Sequence, residues 1–132
     1  MTYLLDTNAC IRFLNGSSPR LVQRLQQHEP GHLRLSTVVQ AELLYGARKS
    51  QRVEENLLLL QRFFEPFPTV PFDALCAEHY GLIRAELESE GRTIGPNDLL
   101  IAATARAHDL VLVTHNTREF TRVVGLRVED WE

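Results

Sequence analysis

The chain has a single lysine, one methionine, one tryptophan and two cysteines among its 132 residues. Cys10 and Cys76 form neither a CxxC pair nor a disulfide framework. Their apolar neighbours mark both as buried small hydrophobes in a reducing compartment. Long apolar stretches are absent too. Runs stop at four or five residues, as in Leu57–Leu60 and Leu110–Val113, which excludes a transmembrane helix. The opening Met-Thr-Tyr-Leu-Leu-Asp has no basic region followed by a long apolar stretch. No signal peptide is therefore expected, and the cytoplasm is the expected location. Long basic tracts are also missing, and 14 Lys plus Arg against 17 Asp plus Glu give a net charge of −3. Composition alone does not argue for nucleic acid.

What is present is an ordinary folded composition, 44% hydrophobic and 23% charged, which excludes a disordered or fibrous chain. The length implies one domain, residues 1–132. Such a chain buries about two-thirds of its unfolded surface, so it needs no metal or disulfide merely to stay folded. Lys49 being the only lysine, arginine supplies nearly all the positive charge. The planar guanidinium forks onto phosphate, so an RNA-facing surface is compatible with the acidic total.

Periodicity alternates short apolar runs with amphipathic segments. Thr2–Asp6 reads as a buried strand, and Asn8–Leu14 as a short helix. Ser18-Pro19 opens a helix to about His28, followed by a turn at Glu29–Gly31 and a strand at Leu33–Ser36. Thr37-x-x-Gln40 reads as a capping box for a helix to about Lys49. Val53–Phe64 is a further helix with more apolar surface than one inward stripe uses. Pro66 and Pro68 stop it before a short edge strand, Thr69–Phe72. Asp73 caps a long helix ended by Gly91, and Gly95-Pro96 leads into an alanine-rich helix to about His108. Leu110–Thr114 is the most strand-like run, followed by a polar loop, His115–Glu119. Strands separated by helices of this length imply parallel crossovers, hence an α/β sandwich with a mostly parallel central sheet.

In such sheets ligands bind beyond the carboxyl ends of the strands. That rule selects Asp6 after the first strand, Glu42 within the helix after the second, Asp98 at the start of the alanine-rich helix, and Thr114-His115-Asn116 after the last strand. Each alone has an ordinary explanation as a cap, a solvated helix position or a turn residue. Together they place three carboxylates and an amide at one rim, where like charges destabilise the fold unless a cation joins them. Oxygen ligands suit Mg²⁺ or Mn²⁺, and the chemistry such ions serve is phosphodiester hydrolysis. A phosphoacceptor receiver or haloacid-dehalogenase-type phosphatase would need a late lysine at the rim, and Lys49 lies mid-chain. A catalytically inert scaffold of the same fold is opposed by the three intact acids.

Four motifs carry a closer resemblance. Leu5-Asp6-Thr7-Asn8, Glu42-Leu-x-Tyr45-Gly46, Ile94-Gly95-Pro96-x-Asp98 and Val113-Thr114-x-Asn116-Thr117-Arg118-Glu119-Phe120 resemble the PIN-domain ribonucleases, more narrowly the VapC toxins of toxin–antitoxin pairs. The closing Gly125–Trp131 is similar to the branch that cuts initiator tRNA. The resemblance spans the whole chain and implies a single PIN domain, an α/β/α sandwich. It puts the metal-binding acids on Asp6, Glu42 and Asp98. The fourth catalytic position, an aspartate in many PIN domains, falls on Asn116, and an amide binds a metal more weakly than a carboxylate does. Asn116 then orients a water or another ligand carboxylate, and Glu119 contributes from one turn further on. Thr7, Asn8 and Thr114 would orient the carboxylates. His115 is left outside the catalytic set. The resemblance also implies Mg²⁺ as cofactor with Mn²⁺ as substitute, a VapB-type antitoxin as partner, a homodimer, and cleavage of initiator tRNA in its anticodon loop.

Overall fold

Leu4 and Leu5, both fully buried, form most of the first strand, β1 (Tyr3–Leu5), of a computed structural model that describes residues 1–132. The other strands are β2 (Leu33–Ser36), β3 (Thr69–Val70), β4 (Val111–Val113) and β5 (Val128–Glu129). They form one sheet in the order β3-β2-β1-β4-β5, and every pairing is parallel. Consecutive residues of β1 and β4 are buried, so both faces of the centre are covered by helices, as an α/β/α sandwich requires.

Seven helices make the crossovers and the flanks: α1 (Thr7–Asn15), α2 (Pro19–Gln26), α3 (Thr37–Lys49), α4 (Val53–Phe64), α5 (Ala74–Ser89), α6 (Pro96–Ala107) and α7 (Thr117–Phe120). Ser18 caps α2 and Asp73 caps α5 through their side chains, as the sequence predicts. Gly16 and Gly91 end α1 and α5 at φ +69° and +65°, a left-handed conformation that only glycine adopts without strain. In α6, Leu99 and Ile101–Ala105 are all buried. Small residues let this helix lie close against α5 on one side and the sheet on the other, so nearly its whole circumference is core.

Four sequence expectations change. The capping box at Thr37-x-x-Gln40 does not form. Ser36 is the cap, accepting the Val39 N–H at 3.0 Å, which frees the Thr37 hydroxyl to accept the Phe72 N–H at 3.3 Å. Gln40 instead donates to the Thr69 hydroxyl at 3.0 Å, so both residues tie α3 to the β3 edge. The edge strand stops at Val70, two residues early, because Pro71 offers no donor to continue the ladder. The polar loop after β4 contains the short helix α7, and the closing segment adds β5, a strand of two residues with too short a pattern to read.

That closing segment is anchored by aromatic packing. Trp131, 2% exposed, stacks on His28 with ring centroids 4.8 Å apart and meets Tyr3 edge-on at 5.0 Å. Its indole N–H donates to Glu129 at 2.9 Å, and the Arg24 guanidinium lies over the ring. Glu132 then pairs with Arg12 of α1 at 2.9 Å. Both cysteines are buried and free. Trp131→Ala should cost about 3–5 kcal/mol of unfolding free energy in urea melts followed by circular dichroism, because the cavity lies between rigid elements. A loss under about 1 kcal/mol would show that β5 is not held by this ring.

Candidate active site

β1 and β4 lie side by side, with Leu5 opposite Val113. From β1 the chain steps outward through β2 to β3, and from β4 it steps the other way to β5. The crevice beyond their carboxyl ends is thus the topological switch point of the sheet. Asp6 and Thr114 are the residues that follow these two strands.

Asp6 continues the ladder by donating its N–H to Val113 at 3.1 Å. Its carboxylate caps α1, accepting the Ala9 N–H at 2.7 Å, and also accepts the Thr114 hydroxyl. Thr114 Oγ1 in turn accepts the Asn116 N–H at 3.0 Å, so one hydroxyl couples the two strand ends. Asp6 is 5% exposed, and burial pushes its carboxyl above the usual range. Hydrogen bonds from Thr114 and Ala9 pull it back.

Glu42 comes from α3, whose inward stripe is Val39, Leu43 and Ala47. It sits half-buried beside that stripe, and its Oε1 accepts the Thr7 hydroxyl at 2.6 Å. Thr7 follows Asp6 directly, so the first turn of α1 joins two acids that are 36 residues apart in sequence. Asp98 lies in the first turn of α6, after the Gly95-Pro96 entry. Its carboxyl is pushed up to about 6, first by burial and then by the charges of Glu119, Asp6 and Glu42. Asp98 therefore senses three other carboxylates at the crevice.

No ion pair of the chain includes any of these four acids; Arg12, the nearest cation to Asp6, is engaged by Glu132. An oxygen-only cluster of unneutralised charge fits a hard divalent cation and suits neither a soft metal nor an organic cofactor.

The remaining expected residues are placed as follows. Asn116 donates its side-chain N–H to Glu119 Oε2 at 3.1 Å and so lies against a member of the cluster. Asn8 is exposed in the first turn of α1 and hydrogen-bonds to none of the acids. His115 is exposed, and its Nδ1 lies 3.0 Å from Asp130. Glu119, expected to contribute from one turn beyond Asn116, is the charge Asp98 feels most. One residue of the crevice was given no role in the sequence reading. Tyr45, 64% exposed, lines a cleft with Glu42, Thr37 and Asn97. Its place one turn after Glu42 on α3 was the signal there.

An α/β/α sandwich with acidic side chains at its switch point is an architecture that can serve a nuclease. The PIN-domain profile matches residues 3–126. The tRNA(fMet)-specific endonuclease VapC of Shigella flexneri is 45% identical over 99% of this chain and 98% of its own length. Among solved structures, VapBC2 from Rickettsia felis bound to a promoter DNA fragment matches with a TM-score of 0.93 at 38% identity, covering all of both chains. DNA-bound VapBC from Salmonella typhimurium matches at 0.94 and 37%, covering 100% of this chain and 99% of that one. The chain belongs to the PIN-domain family, in its VapC ribonuclease branch.

The raised Asp98 value has a consequence for stability without metal. The folded protein holds this proton more tightly than the unfolded chain does. The strain is thus absent below pH about 4, grows as the pH rises to about 6, and is full above that. Asp98→Asn should stabilise the metal-free protein by about 1–2 kcal/mol at pH 8, reduced from the full shift because solvent screens a half-exposed group, and by nothing near pH 3.5, read from urea melts at both values. Equal effects at the two pH values would place Asp98 outside the charge cluster.

Proposed function

We propose that this chain is the toxin of a type II toxin–antitoxin pair, a Mg²⁺-dependent endoribonuclease with Mn²⁺ as substitute, which cuts initiator tRNA in its anticodon loop and so halts translation in the cytoplasm. The observation that carries the reading is the set of Asp6, Glu42 and Asp98 at one crevice, unpaired by any cation. Residues 1–132 act as one domain.

Asp6, Glu42 and Asp98 hold the cation, and Glu119 adds charge from the far wall. When bound, the ion lowers the pKa of a coordinated water and offsets charge on the leaving oxygen. Thr7 holds Glu42, and Thr114 holds Asp6, so each carboxylate presents a fixed oxygen. Asn116 keeps Glu119 oriented, with its amide in the place where a fourth acid would stand. The single-stranded character of a loop suits this crevice, since unstacked bases can enter where a duplex cannot. Tyr45 offers an exposed ring beside Glu42 on which a base can stack. That the target is initiator tRNA rests on the activity named for the Shigella relative.

The partner is a VapB-type antitoxin, by analogy with the VapBC complexes of Rickettsia felis and Salmonella typhimurium. An apolar trough lined by Ile11, Leu14, Leu43, Leu59 and Leu60 runs up to Glu42. An amphipathic antitoxin helix laid there would bring an arginine to the acids, where it would take the place of the cation. On α4, Leu58 is 48% exposed outside the trough, part of the apolar surplus read in the sequence, and supports a homodimer.

Asp6→Asn or Asp98→Asn should lower cleavage of bulk tRNA at least 100-fold without loss of folded structure, and EDTA should do the same to the parent chain. Thr7→Val should lower it about 10–100-fold, with partial recovery at high Mg²⁺. Full activity in either Asp variant would sink the metal assignment. Ends mapped chiefly to mRNA would remove the tRNA claim and leave the nuclease.

A further inference from the structure

A second cluster of metal-ligating side chains lies where α5 begins and α6 ends. Asp73 is the cap of α5, Cys76 lies three residues on, and His108 caps the C-terminus of α6. One ligand atom from each, a carboxylate oxygen, Sγ and a ring nitrogen, lie within 4.8 Å of one another. Ligand atoms around tetrahedral zinc stand about 3.3–3.8 Å apart, so small side-chain rotations would close the set on an ion.

The histidine supplies the independent observation. Its Nε2 is buried and has no hydrogen-bond partner, although Asp73 Oδ2 is 3.0 Å away. The two atoms are close enough to pair when the ring is charged. A neutral ring instead offers Nε2 as a ligand atom facing the carboxylate, and a metal ion bound by both would take the place of that pairing. Cys76 is fully buried, and its Sγ lies 3.8 Å from the Pro71 carbonyl, with Asp73 and Thr104 also in reach. Asp73 is exposed and His108 partly so, which leaves a path for an ion and room for a water as fourth ligand.

The geometry points to a soft-metal site formed by Asp73, Cys76 and His108 that takes one Zn²⁺ per chain. Thiolate and imidazole select zinc, whereas the oxygen-only crevice selects Mg²⁺. On binding, the Cys76 thiol releases its proton to solvent and its sulfur becomes the anionic ligand. His108 lies ten residues beyond Asp98, about 15 Å along the axis of α6, so the two sites are separate. The ion pins the start of α5 to the end of α6, helices that already pack along their length.

Co²⁺ titration of the full-length chain, with the metal as probe, tests the assignment. A thiolate-to-cobalt charge-transfer band should rise to one equivalent and be bleached by Zn²⁺. Cys76→Ser should abolish the band, and Cys10→Ser should keep it. Asp73→Asn retains the cap, since asparagine caps as well as aspartate, and should weaken Co²⁺ binding about 10-fold or more. His108→Gln should do the same. Zn²⁺ should raise Tm in the parent and in Cys10→Ser but not in Cys76→Ser, and Mg²⁺-supported RNA cleavage should be unchanged in Asp73→Asn. No charge-transfer band in the parent, or an undiminished band and affinity in both Asp73→Asn and His108→Gln, would overturn the site.

Discussion

The parallel pairing of β1 with β4 is the contact on which both the fold and the chemistry depend. It aligns Leu5 with Val113, and the next residue on each strand then faces the crevice. The ladder continues through the Asp6 N–H, and its side chain, 5% exposed, sits at the mouth of the crevice. Two neutral donors, the Ala9 amide and the Thr114 hydroxyl, make that burial tolerable without neutralising the charge. The carboxylate is held in place and stays available.

Around Asp6 the other acids arrive by three different routes. Thr7 brings Glu42 from α3 through one short hydrogen bond. The Gly95-Pro96 entry brings Asp98 from α6, and α7 brings Glu119. The electrostatic cost falls mainly on Asp98, whose carboxyl is pushed up to about 6. Folding energy drawn from the apolar sheet and the buried α6 holds the like charges together.

Much of this was legible in the sequence, for identifiable reasons. Asp6, Glu42 and Asp98 follow elements with strong periodicity, so the strand-end rule locates them. The cap at Ser36 was read one residue late because Ser and Thr cap equally well and adjacent hydroxyls are not told apart by pattern. Glu119 was read only as a contributor, because a helix of four residues gives no periodicity to fix its direction. The proximity of Cys76 to His108 was invisible, since it arises from the antiparallel packing of two helices and has no local signature.

The alanine-rich helix α6 carries Asp98 in its first turn, and almost every residue after that is core. Such a helix does not fray easily, because unwinding its first two turns exposes Leu99 and Ile101 to water. Motions that would displace Asp98 are therefore coupled to the opening of the domain as a whole. By contrast, α4 commits Leu60 and Phe63 to the core and leaves Leu58 and Leu59 in solvent, so it has less burial to lose. Amide exchange is expected to be slower in α6 than in α4. The surface open to a partner is the deformable one, and the surface open to the reaction is the rigid one.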